Sequence, residues 1–171
     1  LEFRRVLFRS TGAVMQEAWA YYSGNTGLSG RNYTGIQPPA GCQRNFIVFV
    51  GNAFRNNTTP GDGGSANVLQ SLTNAGATSA QTTAITIPSG SYGASNFTCG
   101  SYSMPTHSDS SGLYADEWSR FLKGTDIFGG TNGSQGITTY TIGLLGSSCN
   151  PQYPALLTSM AKYGEIGRAH I

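Results

Sequence analysis

Charge is scarce in this chain. Only 11% of its 171 residues are charged, 10 Lys and Arg against 8 Asp and Glu, and no block of like charge marks an acidic or basic tail. No apolar run approaches the roughly 18 to 20 residues of a membrane-spanning helix, and no heptads recur. Cysteine is limited to three residues and histidine to two. Cys42, Cys99 and Cys149 show neither a Cys-x-x-Cys pair nor the Cys/His spacing of a zinc site. These absences exclude a helical membrane span, a coiled coil, a charged disordered tail and a zinc-ribbon fold. What is plentiful is glycine, 24 residues, beside 38% hydrophobic residues, enough for the core of one domain rich in loops.

The two ends read differently from the middle. Back-translated, residues 1–10 (LEFRRVLFRS) resemble a short-read sequencing adapter, and residues 165–170 (EIGRAH) resemble its reverse complement; Ile171 departs from it. Residues 1–10 and 165–171 are therefore set aside as non-native, leaving 11–164 as a domain segment open at both ends. Without them Lys and Arg fall from 10 to 6 and Asp and Glu from 8 to 6, since Arg4, Arg5, Arg9, Arg168, Glu2 and Glu165 go. The remainder is neutral, so the pI of about 8.5 argues neither for nucleic acid nor for an anionic membrane as partner.

Periodicity organises that remainder. Val14 to Tyr22 has Val14, Ala18 and Tyr21 or Tyr22 at helical spacing, with Gly24 placed to end a helix. Gly24 to Gly41, with Pro38 and Pro39, reads as a long loop. Asn45 to Val50 (NFIVFV) is a continuous β-branched and aromatic run, the pattern of a parallel strand buried on both faces. Residues 55–112 shift to Asn, Thr, Ser and Gly and read as a polar insertion, with a short helix at Ala66 to Leu72 and a strand at Thr83 to Ile87. Leu113 to Leu122 predicts a helix with Leu113, Trp118, Phe121 and Leu122 on one side and Asp116 and Glu117 in a solvated first turn. Gly136 to Leu145 predicts a strand, and Pro154 to Tyr163 a helix with Leu156, Leu157, Met160 and Ala161 as its apolar face. Alternating strands and helices predict an α/β domain with a mainly parallel sheet.

Four blocks then carry a likeness. CQRNFIVFVGNAF at Cys42 to Phe54, YADEWSRFLKGTDI at Tyr114 to Ile127, ITTYTIGLL at Ile137 to Leu145 and PALLTSMAKYG at Pro154 to Gly164 resemble, in order, the N-terminal von Willebrand A-like domain of the PilC/PilY family of type IV pilus tip and biogenesis proteins. The resemblance implies a truncated Rossmann-like sheet whose first strand lies upstream of Thr11, and a C-terminal propeller in the complete protein. It also implies residence in the periplasm, the outer membrane or at the extracellular pilus tip. Non-enzymatic binding follows, to pilins or minor pilins or to a host or abiotic surface, through loops at the C-terminal strand edge. Two other readings stand beside it: a secreted hydrolase or glycan-active α/β enzyme, and a generic von Willebrand A interaction module.

Candidate chemistry is thin. Domains of that family often hold a divalent cation through Asp-x-Ser-x-Ser, a Thr from a second loop and an Asp from a third. Here Asp109-Ser110-Ser111 begins the first motif but Leu113 occupies its last position, Asn52 stands where the third-loop Asp is implied, and Thr11 matches the second loop loosely. Hard cations want several oxygen ligands, so Thr11 and Asn52 are weak metal candidates and no cofactor is expected in this segment. His107, the one histidine of 11–164, has no Gly-x-Ser-x-Gly elbow to serve, and Gly61-Asp62-Gly63-Gly64-Ser65 lacks the Gly-Lys of a phosphate loop. Tyr21, Tyr22, Tyr92, Phe97, Tyr102 and Tyr114 are either a binding surface or core packing under a long loop. In a parallel arrangement Cys42 and Cys149 fall at opposite strand ends, about 17 to 20 Å apart, beyond the roughly 7 Å that a disulfide spans between Cα atoms. The expected bond is Cys99 to Cys149, with Cys42 left for a partner upstream.

Overall fold

The computed structural model describes residues 11–39, 44–51, 70–77, 85–87, 90–91, 98–99, 102–104, 114–128, 135–144 and 152–164. In chain order the elements are α1 (Thr11–Ser23), β1 (Phe46–Gly51), β2 (Ile85–Ile87), β3 (Gly90–Ser91), β4 (Thr98–Cys99), β5 (Tyr102–Met104), α2 (Ala115–Gly124), β6 (Thr138–Gly143) and α3 (Gln152–Tyr163). A further helical stretch occupies 70–74.

β1 and β6 pair in parallel, Phe46 beside Thr138 through Gly51 beside Gly143. The mixed α/β character expected from the pattern of the sequence is present, with a two-stranded parallel sheet and helices packed on it. Side chains alternate across a strand, so Ile47, Phe49, Thr139 and Thr141 turn toward the helices while Phe46, Val48, Val50, Tyr140 and Ile142 turn away. Within the polar insertion β2 pairs with β5 and β3 with β4, both antiparallel, and β2 and β5 lie against α3.

The helix layer explains itself locally. α2 starts with Asp116 and Glu117 and ends with Lys123, a charge order that complements the helix dipole. Ala115, Trp118, Phe121 and Leu122 are buried at i, i+3, i+6 and i+7, one face of the helix. In α3, Pro154 sits in the first turn, where its missing N–H costs nothing, and Tyr153, Leu156, Leu157 and Met160 are buried. These side chains, with Ala13, Met15, Leu72 and Ile137, form one core. Gly164 closes α3 hard against β6: a Cβ there would stand 2.7 Å from Thr139 Cβ, too close for any other residue.

Three sequence expectations are corrected. β1 is covered on one face only: Phe46, Val48 and Val50 are 45%, 60% and 54% exposed, because α2 and α3 both lie on the other side of the sheet. The first turn of α2 is not solvated either, since Asp116 and Glu117 are 0% and 1% exposed. The face that α1 buries also differs from the expected one. Ala13, Gln16, Glu17 and Ala20 are buried while Val14 and Ala18 are half-buried, as two polar side chains are turned inward to bind a loop.

The core makes two stability predictions. Leu156→Ala removes a fully buried side chain and should lower unfolding free energy by about 2–5 kcal/mol. Thr139 Oγ1 is buried without a hydrogen-bond partner among the described residues, so Thr139→Val should raise it by about 1 kcal/mol. Urea denaturation followed by circular dichroism reads both; a destabilised Thr139→Val variant would mean that the hydroxyl has a partner.

Candidate functional site

Three features outside simple core packing are available for function. The first is a clasped loop. α1 ends at Ser23, whose Oγ donates to Trp19 O at 2.7 Å, and the chain turns back on itself through a bridge between Thr26 and Asn32. The buried Glu17 carboxylate organises this loop. Its Oε1 accepts Ser29 Oγ and the Tyr33 hydroxyl, each at 2.6 Å, and its Oε2 accepts the Ser29 N–H at 3.3 Å. Gln16 Oε1 accepts the Leu28 N–H at 2.8 Å. Gly27 is required here because a Cβ would overlap the Glu17 carboxylate. Burying a carboxylate is expensive unless its oxygens are satisfied, and the three donors meet that condition.

The second feature is a cleft of about 240 Å³ lined by Tyr22, Gln37, Pro38, Pro39, Ile127 and Phe128. Tyr22 is anchored by its hydroxyl, which donates to Phe46 O at 2.9 Å, and its ring meets Phe128 edge-on, centroids 6.0 Å apart. Phe46 begins β1, and the Ile137 N–H just before β6 donates to Leu122 O near the end of α2. The cleft therefore lies at the N-terminal ends of the strands. Recognition was expected at the opposite, C-terminal edge, whose residues 52–69 and 145–151 lie outside the described residues.

The third feature is the uncovered sheet face. Phe46, Val48, Val50, Tyr140, Ile142 and Leu144 are all between 40% and 60% exposed, and none carries charge. Phe46 and Tyr140 are in ring contact at 5.7 Å.

Two further acidic groups, Asp116 and Glu117, serve the interior. Ser159 Oγ donates to Asp116 Oδ2 at 2.7 Å, tying α3 to α2, and Asp116 Oδ1 accepts the Glu117 N–H at 3.0 Å. Glu117 Oε2 pairs with Arg120 Nε at 3.1 Å. Reading these two acids as a solvated turn missed the site because neighbouring positions on a helix look alike in sequence. The available signal was Ser159, a small hydroxyl residue on the otherwise apolar face of α3.

Of the metal candidates, Thr11 is the half-buried first residue of α1, and Asn52 lies outside the described residues. Among the described residues no group of three or more His, Cys, Asp or Glu stands close enough to hold a metal ion, and Glu17, Asp116 and Glu117 are turned to internal donors. The described residues thus supply no carboxylate set for the divalent ion that the resemblance implies. Cys42 and Cys149 lie outside the described residues, as do His107 and Asp109; Cys99 is described only as part of β4. Of the six aromatics singled out, Tyr22 and Tyr114 pack against the core and Tyr21 is 39% exposed. Tyr102 is placed in β5 without a described side chain, and Tyr92 and Phe97 are outside the described residues. No described helix is long and apolar enough to cross a membrane. No protein-family model, curated protein or solved structure matches the chain.

Burial of phenols sets an alkaline limit. Burial, then the hydrogen bond to Glu17 and that carboxylate's charge, push the Tyr33 hydroxyl up to about 12 against the opposing pull of Arg31. Burial alone pushes Tyr153 up to about 12. A raised folded pKa means that the fold prefers the neutral phenol. This stability is fully present below pH about 10, the ordinary tyrosine value, and is lost as pH rises through about 12. Ultraviolet titration of phenolate should show Tyr33 and Tyr153 ionising late and together with unfolding. Early ionisation of both in the folded chain would contradict the assigned burial.

Calorimetric titration with Ca²⁺ and Mg²⁺ is expected to give no dissociation constant below about 10⁻⁵ M, the level of sensor-grade sites. A tighter constant would place a ligand set that the residues named above do not form.

Proposed function

We propose that this chain is a von Willebrand A-like binding domain of a PilC/PilY-type protein, non-enzymatic, acting in type IV pilus assembly or adhesion at the cell surface. Four sequence blocks in family order support the family reading. The parallel pairing of the two strands in those blocks, with α2 before β6 and α3 after it, is compatible with the Rossmann-like arrangement that the family implies. The observation that carries a binding role is the uncharged apolar sheet face. Exposed apolar surface of this extent is characteristic of contact surfaces, while the acids Glu17, Asp116 and Glu117 are spent on internal hydrogen bonds.

On this reading the partners are pilins, minor pilins or a surface ligand, and the site of action is the periplasm, the outer membrane or the pilus tip. The gene itself provides the direct test. DNA beyond the codon for Gly164 should encode a propeller, and deletion of the gene should abolish surface pili, with restoration on complementation. A catalytic domain or a stop codon at that point, or normal piliation of the deletion strain, would overturn the proposal.

A further inference from the structure

We propose that the cleft between the end of α1 and the loop after α2 docks a proline-rich segment of a partner protein in the polyproline II conformation. This role rests on the cleft alone and is separate from the pilus reading and from the sheet face on which that reading draws.

The walls of the cleft are held in place before any ligand arrives. Tyr22 and Phe128 supply rings set edge to face, and Pro38, Pro39 and Ile127 supply aliphatic surface. The rings end a ladder in which Tyr22 stands against Tyr21 at 5.3 Å and Tyr21 against Tyr33 at 5.8 Å, and the Tyr33 hydroxyl is fixed by the buried Glu17 carboxylate. The proline wall continues the loop that Glu17 clasps, and Thr34 Oγ1 donates to Gly24 O at 3.0 Å, pinning that loop again before Pro38. Such preorganisation reduces the ordering that binding must impose.

One polar handle is left over. Gly24 ends α1 at a φ of +71°, and a Cβ there would stand 2.8 Å from the Gln37 amide, so the missing side chain gives Gln37 its place against the helix end. Gln37 is exposed and its amide has no hydrogen-bond partner among the described residues, whereas Ser23 Oγ already donates to Trp19 O.

These features select the occupant. The lining carries no charged side chain, and Asp126, next to Ile127, has its Oδ1 turned to the Phe128 N–H at 3.3 Å, so an ionic ligand would shed water without gaining a partner. A sugar ring would bring several hydroxyls to a single free amide and leave most of them unpaired. An α-helix, about 10–12 Å across with its side chains, is too broad to enter a cleft of about 240 Å³. An added β-strand needs a sheet edge, and none of the lining residues lies in a strand. A polyproline II segment satisfies each condition. It is slender, with a turn of three residues spanning about 9 Å, and its carbonyls have no internal hydrogen bonds, so one can accept from Gln37 Nε2. Its proline rings pack on the aromatic and aliphatic walls, as such segments do in aromatic-lined grooves.

Calorimetric titration of the full 171-residue chain with an acetylated, amidated decaproline should give a one-to-one complex with a Kd of about 10–100 µM. Gln37→Glu keeps the length of the side chain but removes its N–H donor, and should weaken binding about tenfold; because Gln37 is exposed, far-UV circular dichroism should stay unchanged, so the loss is read in a folded chain. Phe128→Ala removes a ring and should weaken binding at least about tenfold. Gln70→Ala, outside the lining, should leave binding as it is. In the unsubstituted chain, nuclear Overhauser effects should join the proline Hδ atoms to the Phe128 ring. Absence of binding up to about 1 mM, or equal binding of a glycine–serine peptide of the same length, would overturn the proposal. So would tighter binding of indole or cellobiose than of decaproline, which would assign the cleft to a small aromatic or a glycan, or an affinity unmoved by both Gln37→Glu and Phe128→Ala, which would put the peptide elsewhere.

Discussion

The packing of α2 and α3 onto one face of the β1–β6 pair is the contact on which the rest of this structure depends. Trp118 and Leu122 from α2 meet Leu156 and Met160 from α3 in a single buried cluster, and the Ser159 to Asp116 hydrogen bond fixes the two helices against each other. A two-stranded sheet has little stability of its own in water. β1 and β6 are held because Ile47 and Phe49 can pack against that helix layer. Ring contact between Trp19 and Trp118 joins α1 to the same layer. Because both helices choose one side, the other side of the sheet is left to water.

The same one-sidedness governs where polar groups go. Glu17, Asp116 and Glu117 are drawn inside because they lie on helix faces that must be buried for the core to close; donors to Glu17 and Asp116 are supplied from elsewhere in the chain, and Glu117 pairs with Arg120 of its own helix. Ser29 and Tyr33 come from the loop after α1, and Ser159 comes from α3. Such networks specify an arrangement more than they stabilise it, since removing one donor leaves a buried acceptor unsatisfied. The clasp on Glu17 also explains how a loop rich in Gly and Asn holds a defined course beside the cleft at the N-terminal end of the sheet.

Function, on this view, resides in surface rather than in reactive groups. The apolar strip and the aromatic cleft are on different parts of the molecule. The strip occupies the outer sheet face, and the cleft lies where Tyr22 reaches the start of β1. Two such surfaces can contact two neighbours at once.

The sequence alone determined the element order and the helix faces of α2 and α3. Local periodicity and capping carry that information: Trp118, Phe121 and Leu122 at helical spacing, Pro154 at a helix start, and β-branched runs at Phe46 to Val50 and Thr138 to Ile142. What only the tertiary structure decided is which faces are covered. An apolar run such as NFIVFV reads the same whether helices lie on one side or on both, because burial is a property of the neighbours. The inward turn of Asp116 and Glu17 was equally illegible, for the Ser29, Tyr33 and Ser159 hydroxyls that meet them lie 12 to 43 residues away and reach them only when the helices pack.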